Sequence, residues 1–438
     1  MPVDTLARDA DKPAFDGDLI GPGDPDYDRF RRVWNGTIDK RPSLIIRARS
    51  TRDVRAAIRL AAERDSALAI RCGGHSFPGL STCDAGIVLD LANMNQVSVN
   101  VAERIAEVGG GALLGDLDKA GNPHGLVTPA GVVSHTGVAG LTLGGGMGWL
   151  SRRFGLTIDS LLAAEICLAD GSTIEASTKI EPDLYWALRG GGGNFGVVTK
   201  FVFRMHQLGA VLVGRWEYPA RQMRAVLSHY SALAALAPRQ LAAAFTATSA
   251  RIAVTAFWSG DFTGAEAAIA RYGELAPGSS GSLGETSFLD VQSRNDTHFP
   301  WGRRYYAKGG FLDELPESVI ECVADRIAGA PTPDSEIYML QLGGAINDVG
   351  EAETAYSGRS AAFYWIVEPV WDDISDDARC LTWGREAARR LTEFSASRNY
   401  LNEQSETGGN IAEQAYGPAK YKRLVTLGDC GNSECRRP

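Results

Sequence analysis

The rhythm of hydrophobic and polar positions changes along this chain. Up to about residue 207, short apolar runs alternate with glycine-rich stretches; beyond it, alanine-rich segments at helical spacing alternate with longer β-like runs. In the first part, a helix is predicted around 27–34 and a short buried strand over 42–46. Ser50-Thr51-Arg52-Asp53 then offers an N-cap, and Val54, Ala57, Ile58, Leu60 and Ala61 follow at helical spacing. Two more strands are predicted over 67–70 and 86–91, giving a strand–helix–strand–strand α+β pattern. Residues 105–114 read as a strand running into a turn, with a helix over about 113–122. Runs at 161–169 and 172–176 flank Asp170-Gly171, a strong hairpin signal. A short helix with proline at its start spans 181–188, before a strand over 197–203.

After residue 207, helices are predicted over 222–236, 264–272, 317–328 and 377–395, and strands over 211–218, 252–259, 337–342 and 361–367. These compose a second α+β unit, a sheet with covering helices. The expected division is a first domain over 1–207, a second over 208–395, and a C-terminal return over 396–438 with a helix near 411–415. The last segment, 427–438, is polar and is expected to be disordered.

Composition narrows the class. The chain has 438 residues, too many for one compact domain, with 44% hydrophobic and 22% charged residues. No apolar run approaches the length of a membrane span, and the N-terminus carries no basic region followed by an apolar stretch, so a cytoplasmic location is expected. A net charge of −9 argues against nucleic acid or an anionic membrane as partner. The seven cysteines are irregularly spaced and form no CxxC pair, so no metal is indicated and reduced thiols are expected, Cys72 and Cys83 included.

Candidate chemistry concentrates in three glycine clusters. Arg71-Cys72-Gly73-Gly74-His75-Ser76-Phe77-Pro78-Gly79 places one histidine inside a glycine-rich loop after a predicted strand. Glycines let the backbone approach a ligand closely, and successive free N–H groups hold phosphate. Two further clusters, over 137–148 and 190–196, suggest one site for a large, phosphate-bearing cofactor. Gly144-Gly145-Gly146-Met147-Gly148 is not a dinucleotide-fold turn, because the flanking strand, helix and later acidic residue are missing.

In combination these loops resemble the berberine-bridge-enzyme-like FAD oxidoreductases of the vanillyl-alcohol-oxidase superfamily. The resemblance rests on 71–76, on Pro129-Ala130-Gly131-Val132-Val133-Ser134-His135-Thr136-Gly137-Val138-Ala139-Gly140 with 144–148, on 189–199, and on Tyr400-Leu401-Asn402. It implies a two-subdomain PCMH-type FAD-binding domain and a central α/β substrate domain with an antiparallel sheet. The implied cofactor contacts are Arg71, Gly73, Gly74, His75, Ser76 and Gly79 in the first loop. The second supplies Pro129, Gly131, Ser134, His135, Thr136, Gly137, Gly140, Gly145, Gly146 and Gly148. Asn194, Gly196 and Val198 follow in the third, and Asn402 at the C-terminal motif.

The resemblance also implies chemistry. His75 is expected to bond the 8α-methyl carbon of the flavin. Relatives with a second attachment carry a cysteine where this chain has Val133, so attachment through His75 alone is expected. Thr136 stands where relatives control oxygen access, which favours O2 as electron acceptor and H2O2 as product. His135 either touches the flavin or helps fix its loop, with the loop role favoured. Oxidising an alcohol or amine carbon needs a base for the O–H or N–H proton. Tyr400 is the first candidate; a strand expected after Gly343-Gly344-Ala345 places Asn347 and Asp348 where relatives put pocket carboxylates, with the inward-facing one undecided. Tyr305, Tyr306 and Lys308 either line the pocket or build the sheet. The implied partner is a small molecule (sugar, polyketide, alkaloid or amine) and the chain a monomer or homodimer. A dehydrogenase using another acceptor and an impaired flavin-binding protein are the alternatives.

Overall fold

The computed structural model describes residues 15–395, 399–408 and 410–431. The predicted polar lead-in over 1–14 lies outside them. A four-stranded sheet opens the fold: Leu44–Arg47, Ile87–Asp90 and Leu68–Arg71 run parallel, and Asp18–Ile20 pairs antiparallel at the edge. Ser50 accepts from the Asp53 N–H and so caps the helix Thr51–Glu63, whose buried stripe includes Val54, Ala57, Ile58 and Ala61. A second sheet is antiparallel, ordered Val97–Asn100, Ile105–Gly109, Val197–Arg204, Leu161–Cys167, Thr173–Ser177. The turn at Asp170-Gly171 joins its last two strands, with Gly171 at φ 79°.

A seven-stranded antiparallel sheet follows, ordered Ser280–Thr286, Val211–Pro219, Arg251–Trp258, Leu241–Ala247, Glu336–Gln341, Phe363–Glu368, Lys308–Leu312. Helices cover one face. Glu317–Ala328 buries Val319, Ile320, Val323 and Ile327 against it, at the spacing that predicts the helix. Alternation then sorts the strand Phe363–Glu368: Phe363, Trp365 and Val367 enter the helix-covered core, while Tyr364 and Ile366 join the core against the first half of the chain.

Two departures from the sequence reading have clear causes. The strand Leu241–Ala247 goes unpredicted because its sequence, Leu-Ala-Ala-Ala-Phe-Thr-Ala, lacks the β-branched signature; its neighbours on both sides impose the conformation. The expected disorder over 427–438 is wrong for 427–431, which end the helix Pro418–Gly431. Leu424 and Leu427, three apart, pack against the core around Tyr185 and Trp186, and Arg423 lies 3.8 Å over the Trp186 ring. Residues 432–438 lie outside the described residues.

The two halves are stitched across long sequence distances. Asn35 donates to Tyr305 O (3.0 Å) and accepts from Tyr305 N (3.1 Å). Gln292 donates to Gly131 O (2.5 Å), and Ser134 N donates to Asp296 (2.8 Å). Among the described residues no helix is long and apolar enough to cross a membrane.

Candidate active site

One cavity of about 930 Å³ runs between the glycine loops and the seven-stranded sheet. The first loop hangs from the end of the strand Leu68–Arg71. Arg71 is buried in an ion pair with Asp90 (2.8 Å), so it anchors the loop rather than lining the cavity. Gly73, Gly74, His75 and Ser76 face the cavity, with Gly74 at φ 68°. Among the described residues nothing accepts a hydrogen bond from the backbone N–H of Gly74, His75 or Ser76. Gly79, outside the lining, holds a turn at φ 71° and accepts from Lys40 (2.9 Å).

His75 is held on three sides. Its Nε2 lies 2.7 Å from His135 Nδ1, and its ring stacks on Trp34 at 4.7 Å with the edge of Trp301 at 6.2 Å. Burial, helped by His135, pushes its pKa down to about 3, so the imidazole is neutral and keeps a nitrogen lone pair.

The second loop divides its labour. Gly131, Thr136, Gly137 and Gly140 line the cavity, as does Val133. Pro129, Ser134, His135, Gly145, Gly146 and Gly148 do not. Ser134 is turned to Asp296, and Gly146 N donates to the Tyr400 hydroxyl (3.1 Å). A Cβ on Gly144 would sit 2.0 Å from Asn402 Oδ1, and one on Gly148 2.2 Å from Ala130 O; these glycines admit neighbouring chain. Asn194, Gly196 and Val198 of the third cluster, with Tyr400 and Asn402, complete this wall.

Comparison with known proteins bears on what the wall holds. Residues 42–177 match the family described as an FAD binding domain. An uncharacterized FAD-linked oxidoreductase of Bacillus subtilis (strain 168) is 30% identical over 431 residues, 93% of each chain. The chain belongs to the FAD-linked oxidoreductases. Its fold matches that of Physcomitrella patens BBE-like 1, at 22% identity and TM-score 0.89 over 96% of this chain and 95% of the other. It also matches 6-hydroxy-D-nicotine oxidase from Arthrobacter nicotinovorans, at 26% identity and TM-score 0.88 over 98% and 97%. The berberine-bridge-enzyme-like resemblance and the predicted fold class therefore hold for this oxidoreductase.

The wall fits FAD on its own terms. Gly140 and Gly193 line the cavity with almost nothing near the position of a Cβ, so bare backbone meets the ligand there. The buried Ser81 Oγ, on the same lining, has no partner among the described residues. Free N–H groups in the His75 loop suit the pyrophosphate.

The opposite wall of the oxidoreductase is the sheet. Tyr338, Ile366, Glu336 and Glu368 line it beside the small residues Ala244, Thr246, Ala253 and Thr255. Glu403, next to Asn402, also lines the cavity and accepts a short hydrogen bond from the Tyr364 hydroxyl. Burial pushes the Glu403 pKa up to about 7. Burial and Glu403 both raise the Tyr400 pKa, against hydrogen bonds from Asn402 (2.9 Å) and Gly146 to its oxygen.

Asn347 and Asp348 need correcting. Both are exposed, neither lines the cavity, and Asp348 pairs with Arg239 (2.9 Å). The strand expected beyond Gly343 does not form: Gly343 and Gly344, at φ 87° and 63°, turn the chain into a 3-10 turn over Gly344–Asp348. Tyr305, Tyr306 and Lys308 are also off the lining. Tyr305 stacks on Trp34 at 3.9 Å, while Tyr306 and Lys308 engage Glu406. Sequence reasoning missed Glu336, Glu368 and Glu403. The available signal was an acid at the end of each of two largely apolar strands, and one beside the Tyr400–Asn402 motif.

Proposed function

We propose that this chain is an oxidase that carries FAD covalently through His75 alone and oxidises an alcohol or amine carbon of a small molecule, with O2 as acceptor. The observation that carries this reading is the neutral, immobilised imidazole of His75 at the mouth of a three-loop glycine cradle. His135 occupies Nε2, which leaves Nδ1 as the bonding nitrogen. Val133 lines the cavity where a thiol would be required for a second link. Thr136 lines it at the position assigned to oxygen access.

Bound FAD would supply a two-electron acceptor for the hydride, so that CH–OH or CH–NH would become C=O or C=N and O2 would become H2O2. The protein's part is proton transfer and positioning. Glu403 suits the role of proton acceptor, because a pKa near 7 leaves half of it ionised at neutral pH. The Tyr364 hydroxyl fixes the Glu403 carboxylate. Tyr400, raised by burial and engaged with the Gly146 loop, positions this end of the cavity. Asp348 has no part.

The test is the mass of the denatured protein with its absorption spectrum. A gain of one FAD that survives denaturation, and disappears in His75→Ala, is expected; an unmodified mass overturns the covalent reading. Peroxide formed with oxygen uptake separates an oxidase from a dehydrogenase using another acceptor.

A further inference from the structure

Two carboxylates on the cavity floor play no part in the chemistry above. The strands Glu336–Gln341 and Phe363–Glu368 are antiparallel, with Glu336 directly opposite Glu368. Each is 5% exposed, and both line the cavity. Like charges directly opposite on neighbouring strands repel, and burying them adds a desolvation cost. Among the described residues nothing cancels the repulsion at Glu368. His298 Nε2 reaches Glu336 (3.3 Å), but the Glu368 carboxylate has no hydrogen bond or ion pair among them.

The surrounding charges confirm the imbalance. Glu336 and Glu403 face Glu368, with the phenols of Tyr364 and Tyr305 also within its field. Arg303 is committed to Asp334 and Asp372, and Arg251 to Glu217 (3.4 Å). Arg215 and Arg294 stand on exposed parts of the lining. The cavity therefore presents a buried carboxylate with free acceptor capacity and a second beside it. A hydroxyl would use one lone pair and leave the repulsion; a nitrogen cation satisfies both.

We infer that Glu368, with Glu336 beside it, is the recognition site for a positively charged nitrogen, so that the substrate is an organic ammonium ion rather than a neutral sugar or polyketide. This narrows the substrate class of the function proposed above and rests on that reading. Burial and the neighbouring glutamates raise the Glu368 pKa above the ordinary carboxylate range, as expected for a carboxyl that lacks a cationic partner. An arriving ammonium ion pairs with the ionised carboxylate and offsets both effects.

Calorimetric titration of the flavin-loaded protein with N-methylbenzylammonium chloride and, separately, benzyl alcohol tests this. Runs are made at pH 7. The cation is expected to bind at least tenfold more tightly than the alcohol. Glu368→Gln should cut cation affinity about 10- to 100-fold and leave alcohol binding and the flavin spectrum unchanged; Glu336→Gln should give a smaller loss. Equal affinity for the two probes, or undiminished cation binding by Glu368→Gln with an intact spectrum, overturns the inference. Yellow protein without cation preference defeats this inference alone, whereas colourless protein that still prefers the cation defeats the flavin reading alone.

Discussion

The two walls of the cavity are built on opposite plans. The glycine-loop wall is mostly backbone: Gly73, Gly74, Gly137, Gly140 and Gly193 present main chain, and the His75 side chain among them is immobilised. The sheet wall is side chain, with Tyr338 and glutamates at one end and alanines and threonines beyond. Backbone donors recognise phosphate whatever residues flank them, so such a wall suits a fixed cofactor. A wall of side chains changes its chemistry with each substitution, and so suits a substrate. Damage to the first wall should therefore abolish cofactor loading, and damage to the second should alter kinetics in a protein that remains yellow.

The largest effect expected is at His75. His75→Ala should abolish covalent flavin completely, read as mass and colour after denaturation. Gly144→Ala comes next: its methyl must displace Asn402, an overpacking cost of about 1–3 kcal/mol, and flavin retention on gel filtration should fall. On the other wall, Glu403→Gln should lower kcat/KM by about 10²–10⁴-fold with flavin content intact. In the parent, kcat/KM should rise with pH up to about 7 and then level off, and the variant should lose that limb.

Glu403 should also mark stability. Its folded pKa lies above the ordinary 4.5, so its contribution is full below pH 4.5 and is lost as pH rises through about 7. The loss is about 3 kcal/mol at most. Melting at pH 5 and pH 8 should show a smaller difference in Glu403→Gln than in the parent. The smallest effect is expected at Asp348: Asp348→Asn, on the outer surface, should change kcat/KM less than twofold.

The same contrast explains what the sequence made legible. The loop wall is read from contiguous residues, because glycines and a histidine at fixed spacing are themselves the structure. Helices such as Glu317–Ala328 are legible by period. The sheet wall is assembled by register, which joins Glu336 to Glu368 across 32 positions that no local pattern connects. Asp348 misleads for the complementary reason: a two-residue glycine turn cancels the strand that would have aimed it inward. Leu241–Ala247 escapes because alanine reads as helix where the sheet needs small side chains facing the cavity.

The packing around Gly144 and Gly145 has a consequence for biosynthesis. The space beside Gly144 is filled by Asn402, and that beside Gly145 by Tyr356 and Tyr400. These partners leave the ribosome more than 200 residues after the loop they support. Until then the second loop has no back wall, and a nascent chain cannot assemble a finished flavin crib. Translation itself thereby acts as a timer: cofactor acquisition waits until Tyr400 and Asn402 have been made, and chains broken off before them should emerge colourless.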